Sequence, residues 1–134
     1  MHVPIFFHRI QQVLCILSAK QRSLQEYYRK QCARLELKCK IIILDDTNNY
    51  LPYLDDCFDF LSGSTDNTAV LSAPSAPLRS LILCIAYVMR ATNGRMSCQQ
   101  AYEEIKDRHP SAYLTEEIME QLNQYQKEVQ LRYV

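Results

Sequence analysis

The apolar positions of this chain fall into blocks whose spacing switches between that of strands and that of helices. Val13 to Leu17 form a short, wholly apolar run, which predicts a buried strand. Behind Ser23, a candidate N-cap, residues 23–37 carry Leu24, Tyr27, Tyr28, Cys32 and Leu35 at helical spacing. Residues 39–44 include Ile41, Ile42 and Ile43 in succession, the pattern of a strand buried on both faces of a parallel or mixed sheet. Over residues 51–61, Leu51, Leu54, Cys57, Phe58 and Leu61 define one face and Asp55, Asp56 and Asp59 the opposite one, so an amphipathic helix with a solvated acidic side is expected. The stretch SGSTDNT, residues 62–68, is the clearest turn. After it, Val70 and Leu71 end another strand, a seven-residue loop follows, and Arg79 and Ser80 open a helix whose body is LILCIAYVM. Asn93 and Gly94 close that helix as a C-cap. Two further helices are expected over residues 96–108 and 115–133, divided at His109 and Pro110; the second has Thr115 as N-cap and Glu116 and Glu117 in its first turn.

Strands alternating with helices, followed by a helical C-terminal half, give an α/β fold: a central mixed or parallel sheet flanked by helices. The 134 residues make one domain, 1–134, of which roughly the first ten residues follow no recognisable pattern. The buried set expected from periodicity is Leu81, Leu83, Ile85, Ala86 and Met89, packed against Ile41 to Ile43.

Charge excludes more than it identifies. Fifteen basic and fifteen acidic residues leave no formal net charge, which argues against a general nucleic-acid or anionic-membrane surface. The longest uninterrupted apolar run, residues 81–89, is too short to span a bilayer. The N-terminal stretch MHVPIFFHRIQQVLCILSA is apolar, but His8, Arg9 and two Gln interrupt it and no basic segment precedes it, so it is not expected to be a secretion signal. Six cysteines include no CxxC pair, and four lie in apolar segments, which points to reduced thiols and a cytoplasmic or nuclear setting. His2, His8 and His109 have no metal-ligand spacing; neither a metal nor a cofactor is expected.

The chemistry-bearing segment is VLSAPSAPLRSLILCIAYVMR, residues 70–90: strand end, loop, helix start. Backbone N–H groups and the positive end of a helix dipole make that layout attractive to phosphate. It resembles the signature of the cysteine-dependent dual-specificity phosphatases, which reads His, Cys, any two residues, Gly, any two residues, Arg, then Ser or Thr. Arg79 and Ser80 match its end; Ser72 stands where the His belongs, Ala73 where the Cys belongs and Ala76 where the Gly belongs. The resemblance continues without a gap to about residue 129, through the Ala-Tyr-x-Met helix end, a Met-Ser helix start, an Ala-Tyr pair, a Lys-x-Arg-x-Pro exit and a final helix with Met-Glu-Gln-Leu. Upstream, residues 41–61 look like the strand, acid loop and helix that precede the signature, and residues 10–17 fit an inner strand. The first strand and helix of the family are mostly missing, so the resemblance implies a phosphatase-like fold that is truncated at its N-terminus.

The resemblance implies a mechanism this chain cannot run. A low-pKa Cys thiolate would attack phosphorus, an Arg and loop N–H groups would hold the phosphoryl oxygens, and an Asp from a neighbouring loop would protonate the leaving group. The methyl group of Ala73 is no nucleophile. Pro74 and Pro77 each remove an N–H from the cradle, and Ala76 in place of Gly penalises a positive φ by roughly 1 kcal/mol. Asp45 best matches the general acid, with Asp46 beside it; without a nucleophile to serve, a solvated turn carboxylate is the better reading. Arg79 is either a vestigial phosphate ligand or a structural residue bonded to a carboxylate or to loop carbonyls, and Ser80 either a helix-start hydroxyl bonding the loop or a remnant of leaving-group assistance. The expected function is that of a catalytically inactive member, a pseudophosphatase acting through a protein partner such as a phosphoprotein or kinase, as regulator or scaffold in phosphorylation signalling. The alternative is a phosphoresidue-binding module that shields phosphoproteins through Arg79.

Overall fold

A computed structural model describes residues 10–44, 49–63, 68–72, 78–106 and 113–132. The elements run β1 (Gln12–Ser18), a 3-10 turn (Ala19–Gln21), α1 (Ser23–Arg34), β2 (Lys38–Leu44), α2 (Leu51–Ser62), β3 (Thr68–Ser72), α3 (Leu78–Ala91), α4 (Cys98–Lys106) and α5 (Glu116–Arg132). The fold is α/β: a small open sheet in the order β2-β1-β3 with five helices, and both strand pairings are parallel.

The sheet has two faces because side chains alternate along each strand. On one face Leu14 and Ile16 of β1 meet Ile42 and Leu44 of β2, together with Leu54, Cys57 and Leu61 of α2, Leu81, Ile85 and Met89 of α3, and Leu122, Tyr125 and Val129 of α5. On the other face Val13 and Cys15 pack against Cys32 of α1, with Cys39, Ile41 and Ala69 at the margin. The expected buried set of α3 is all in the core, with Ile82 in addition. Among the described residues, the strand buried on both faces is β1, where Val13 to Leu17 are 0–5% exposed.

The triple isoleucine of β2 corrects the expectation drawn from it. β2 lies at the sheet edge; Ile42 is buried, but Ile41 and Ile43 are only half-buried, and Ile41 belongs to the opposite face from Ile42. An edge strand is covered less fully than its composition suggests, and Lys38 and Lys40 share its length. Lys40 is paired with Asp56 at 3.0 Å. Gln12, the buried polar residue of β1, is satisfied: its Nε2 donates to the Phe60 carbonyl at 3.0 Å and to Thr68 Oγ1 at 2.8 Å, tying α2 and β3 to the central strand.

The starts of α4 and α5 follow their capping residues, and that of α1 does not. Ser23 is not a cap; it is the first residue of α1, behind Arg22, which makes no side-chain cap. α4 starts later than the spacing suggests, at Cys98, because Ser97 and Gln100 form a capping box: Gln100 N–H donates to Ser97 Oγ at 3.1 Å and Ser97 N–H to Gln100 Oε1 at 2.9 Å. Thr115 does cap α5, accepting from Ile118 N–H at 3.3 Å.

Gly94 ends the α3 segment with φ +78°, and its N–H donates to the Met89 carbonyl at 2.9 Å. Its own carbonyl accepts from both Gln126 Nε2 and Gln130 Nε2 of α5, at 2.9 Å each. A Cβ at this position would stand 2.7 Å from Gln130 Cγ and 3.3 Å from the Gln126 carbonyl oxygen. Gly94→Ala is therefore expected to cost about 1–2 kcal/mol, strain and crowding together, read as a fall in the denaturant midpoint with an unchanged slope.

Candidate functional site

All three strands are parallel, so their C-terminal ends, Ser18, Leu44 and Ser72, lie along one edge of the sheet. That edge is where open α/β sheets present ligand-binding groups. β3 delivers Ser72 there, and α3 starts there with Leu78, Arg79 and Ser80. The strand and the helix expected on either side of the loop are thus present. Ala73, Pro74, Ala76 and Pro77, together with Asp45 and Asp46, lie outside the described residues.

Ser72 and Ser80 are brought together: Ser72 Oγ donates to Ser80 Oγ at 3.3 Å, closing the strand end onto the first turn of α3. The two positions that correspond to the ends of the signature are therefore in direct contact, both half-buried. Ser80 sits inside the first turn of α3, which begins at Leu78.

Arg79 points across the strand ends to the turn that follows β1. Its Nη1 donates to Gln21 Oε1 at 2.9 Å. The same Gln21 oxygen accepts from Ser18 N–H at 2.9 Å, so one amide oxygen links the C-terminal end of β1, the 3-10 turn and the first turn of α3. On its other side Arg79 bonds the phenol of Tyr50, which immediately precedes α2. Burial pushes the Tyr50 hydroxyl above its ordinary pKa, and the charge and hydrogen bond of Arg79 pull it part of the way back. Tyr50 is itself fixed from α5, its N–H donating to Gln121 Oε1 at 2.8 Å.

The partners expected for Arg79 in a structural role were a carboxylate or loop carbonyls; the loop, 73–77, lies outside the described residues, and among the described residues the partners are a side-chain amide and a phenol, both uncharged. A cation in the first turn of a helix opposes the dipole by about 0.3–1 kcal/mol, and two polar partners offset that. Gln21 and Tyr50 were not legible as parts of this site. The Ser18-x-x-Gln21 spacing of a capping box signals the Gln21 side chain's tie to the Ser18 N–H, but nothing in sequence joins it to a residue 58 positions away.

Two thiols of the surrounding helices are raised above their ordinary pKa. Cys84, in the body of α3, has its thiol pushed up by burial. Cys57 of α2 is raised to about 12, chiefly by burial and secondarily by Asp56. Both are held as thiols at neutral pH. Among the described residues no group of three His, Cys, Asp or Glu side chains is arranged to hold a metal ion, and no helix is long and apolar enough to cross a membrane.

No protein-family model matches the chain, and no curated protein matches it. A functional assignment therefore rests on its own residues and on the resemblance of their pattern.

Proposed function

We propose that this chain is a catalytically inactive, dual-specificity-phosphatase-like domain that acts by binding a protein partner, a phosphoprotein or a kinase, as a regulator or scaffold in cytoplasmic or nuclear phosphorylation signalling. On this reading the three parallel strands and the helices around them are the inner part of a phosphatase-like fold, and the β3–α3 connection is its former phosphate loop. The observation that carries the reading is Ala73: the residue after the end of β3, where the signature has its Cys, offers only a methyl group. The surroundings agree with it. Pro74 and Pro77 lack N–H groups for phosphate, Arg79 spends hydrogen bonds on Gln21 and Tyr50, and the raised thiols of Cys57 and Cys84 are poor substitutes for a thiolate.

A second reading, a module that shields phosphoresidues through Arg79, is favoured only by the position of that side chain at the strand ends. Against it, binding an anion there would have to displace or share the bonds Arg79 already makes.

Clean protein is expected to hydrolyse neither aryl phosphates nor phosphopeptides above a buffer blank. The paired substitution Ser72→His with Ala73→Cys should restore little or no turnover, because the prolines and Ala76 still deform the cradle. Vanadate-sensitive turnover by the unaltered chain would sink the reading, and a strong rescue by those two changes alone would show that the loop remains a competent phosphate cradle.

A further inference from the structure

Three of the six cysteines converge on the face of the sheet remote from α3. Cys15 of β1 is fully buried, Cys32 in the last turn of α1 is 5% exposed, and Cys39 of β2 is half-buried. The parallel register sets Cys39 opposite Val13, so Cys15, two residues further along β1, projects from the same face. α1 lies over that face and puts Cys32 into the same cluster, with Val13, Ile41 and Tyr28 around it. Cys39 packs against both of the others, and its thiol disfavours their ionisation. These thiols are not arranged as a metal site.

We propose that Cys32 and Cys39 form a reversible disulfide when a peroxide oxidises Cys39. Two features select this pair among the three. Diagonal neighbours on adjacent strands have Cα atoms roughly 7–8 Å apart, beyond the ~7 Å that a disulfide spans without backbone movement, which disfavours Cys15 with Cys39. Cys32, by contrast, stands in the last turn of a helix. The chain beyond it leaves through exposed Leu35 and Glu36 at φ +57°, with Leu37 N–H returning to the Cys32 carbonyl at 2.8 Å. That bond and the Glu36 N–H to the Ala33 carbonyl at 3.1 Å close α1 with a Schellman motif, which turns the chain directly into β2 and holds Cys32 against the strand that carries Cys39.

The order of events follows from access. Burial holds Cys15 and Cys32 as thiols, raised to about 12 and about 11, and Cys39 is the one of the three that solvent reaches. In the first step the peroxide O–O bond breaks: Cys39 Sγ takes one oxygen and becomes a sulfenic acid, and the other oxygen leaves as an alcohol, or as water from hydrogen peroxide. In the second step Cys32 Sγ attacks Cys39 Sγ, the S–S bond forms, and the hydroxyl leaves as water with the proton of Cys32. Each sulfur ends one electron poorer, and the two electrons reside in the reduced peroxide. The bond would pin the C-terminal end of α1 to the edge strand, and a dithiol reductant would release it.

The test uses the full chain, reduced, then exposed to hydrogen peroxide and unfolded for thiol titration and peptide mapping. The expected result is the loss of two of the six thiols, a mass change of two hydrogens, a Cys32–Cys39 cross-linked peptide, and full recovery with dithiothreitol. Cys15→Ser should keep the cross-link, and Cys32→Ser should instead leave Cys39 carrying oxygen. Retention of all six thiols, a cross-link that includes Cys15, a bond between two chains, or Cys39 oxidised to sulfinic acid beside a free Cys32 in the unaltered chain would each overturn the proposal. The mapping on the unaltered chain decides the matter even if a variant fails to fold.

Discussion

Replacing Ile85 with Asp should abolish the cooperative thermal transition of this domain. Ile85 is fully buried in α3, the helix that packs against α2, α4, α5 and the sheet, and its neighbours Leu81, Ile82 and Met89 are buried with it. A carboxylate there has neither water nor a partner, and an unpaired buried charge costs several kcal/mol even after it is neutralised by proton uptake. The lost isoleucine adds about 2–4 kcal/mol of transfer and cavity cost. Domains of this size are stable by about 5–15 kcal/mol in all, so the sum takes most or all of the margin. Glu104→Ala, on the exposed face of α4, is the matched control and should shift stability by no more than about 0.5 kcal/mol. Circular dichroism melts of the two variants read the contrast directly.

The second large effect is expected at Asp55, which binds α5 to α2. Tyr125, 1% exposed, donates its hydroxyl to Asp55 Oδ1 at 2.8 Å, and Arg132 grips both carboxylate oxygens at 2.8 Å each. Asp55→Ala leaves the Tyr125 hydroxyl buried without this acceptor and frees Arg132, so a loss of about 2–3 kcal/mol is expected, nearly all of it from the tyrosine, since the exposed arginine pair contributes little. The Arg132 hydrogen bonds, opposed by burial and aided by Tyr125, hold the Asp55 carboxyl below the ordinary carboxylate range. A depressed folded-state pKa stabilises the protein above the unfolded value, near 3.8, and that contribution is lost as pH falls through the lower folded value. Unfolding free energies measured from neutral pH down to about pH 3 should therefore fall more steeply in the unaltered chain than in Asp55→Ala, the difference appearing below about pH 4.

What the sequence disclosed was periodicity and local chemistry; what it concealed was partnership across the fold. The α3 core positions and the Thr115 and Gly94 helix ends were legible because they depend on spacing within one segment. The burial of β2 was misjudged for the converse reason: three isoleucines state what a strand could bury, while its place at the sheet edge decides what it does bury, and among the described residues only β1 has a strand on either side. Arg79 shows the same limit. Its place in the first turn of α3 follows from the motif, but its partners Gln21 and Tyr50 come from segments 58 and 29 positions away, joined only by the parallel alignment of the strand ends. The meeting of Cys15, Cys32 and Cys39 was hidden too, since it depends on the β1–β2 register and on where α1 lies.

The most direct test of an inactive domain without a phosphate cradle is an NMR titration of the full chain with inorganic phosphate and with phosphotyrosine, repeated on Arg79→Ala. The account predicts Kd values in the millimolar range or weaker, about −4 kcal/mol or less of binding free energy, and little difference between the two proteins. Micromolar binding of phosphotyrosine that disappears in Arg79→Ala would contradict it, and would make Arg79 the ligand of a working phosphoresidue site.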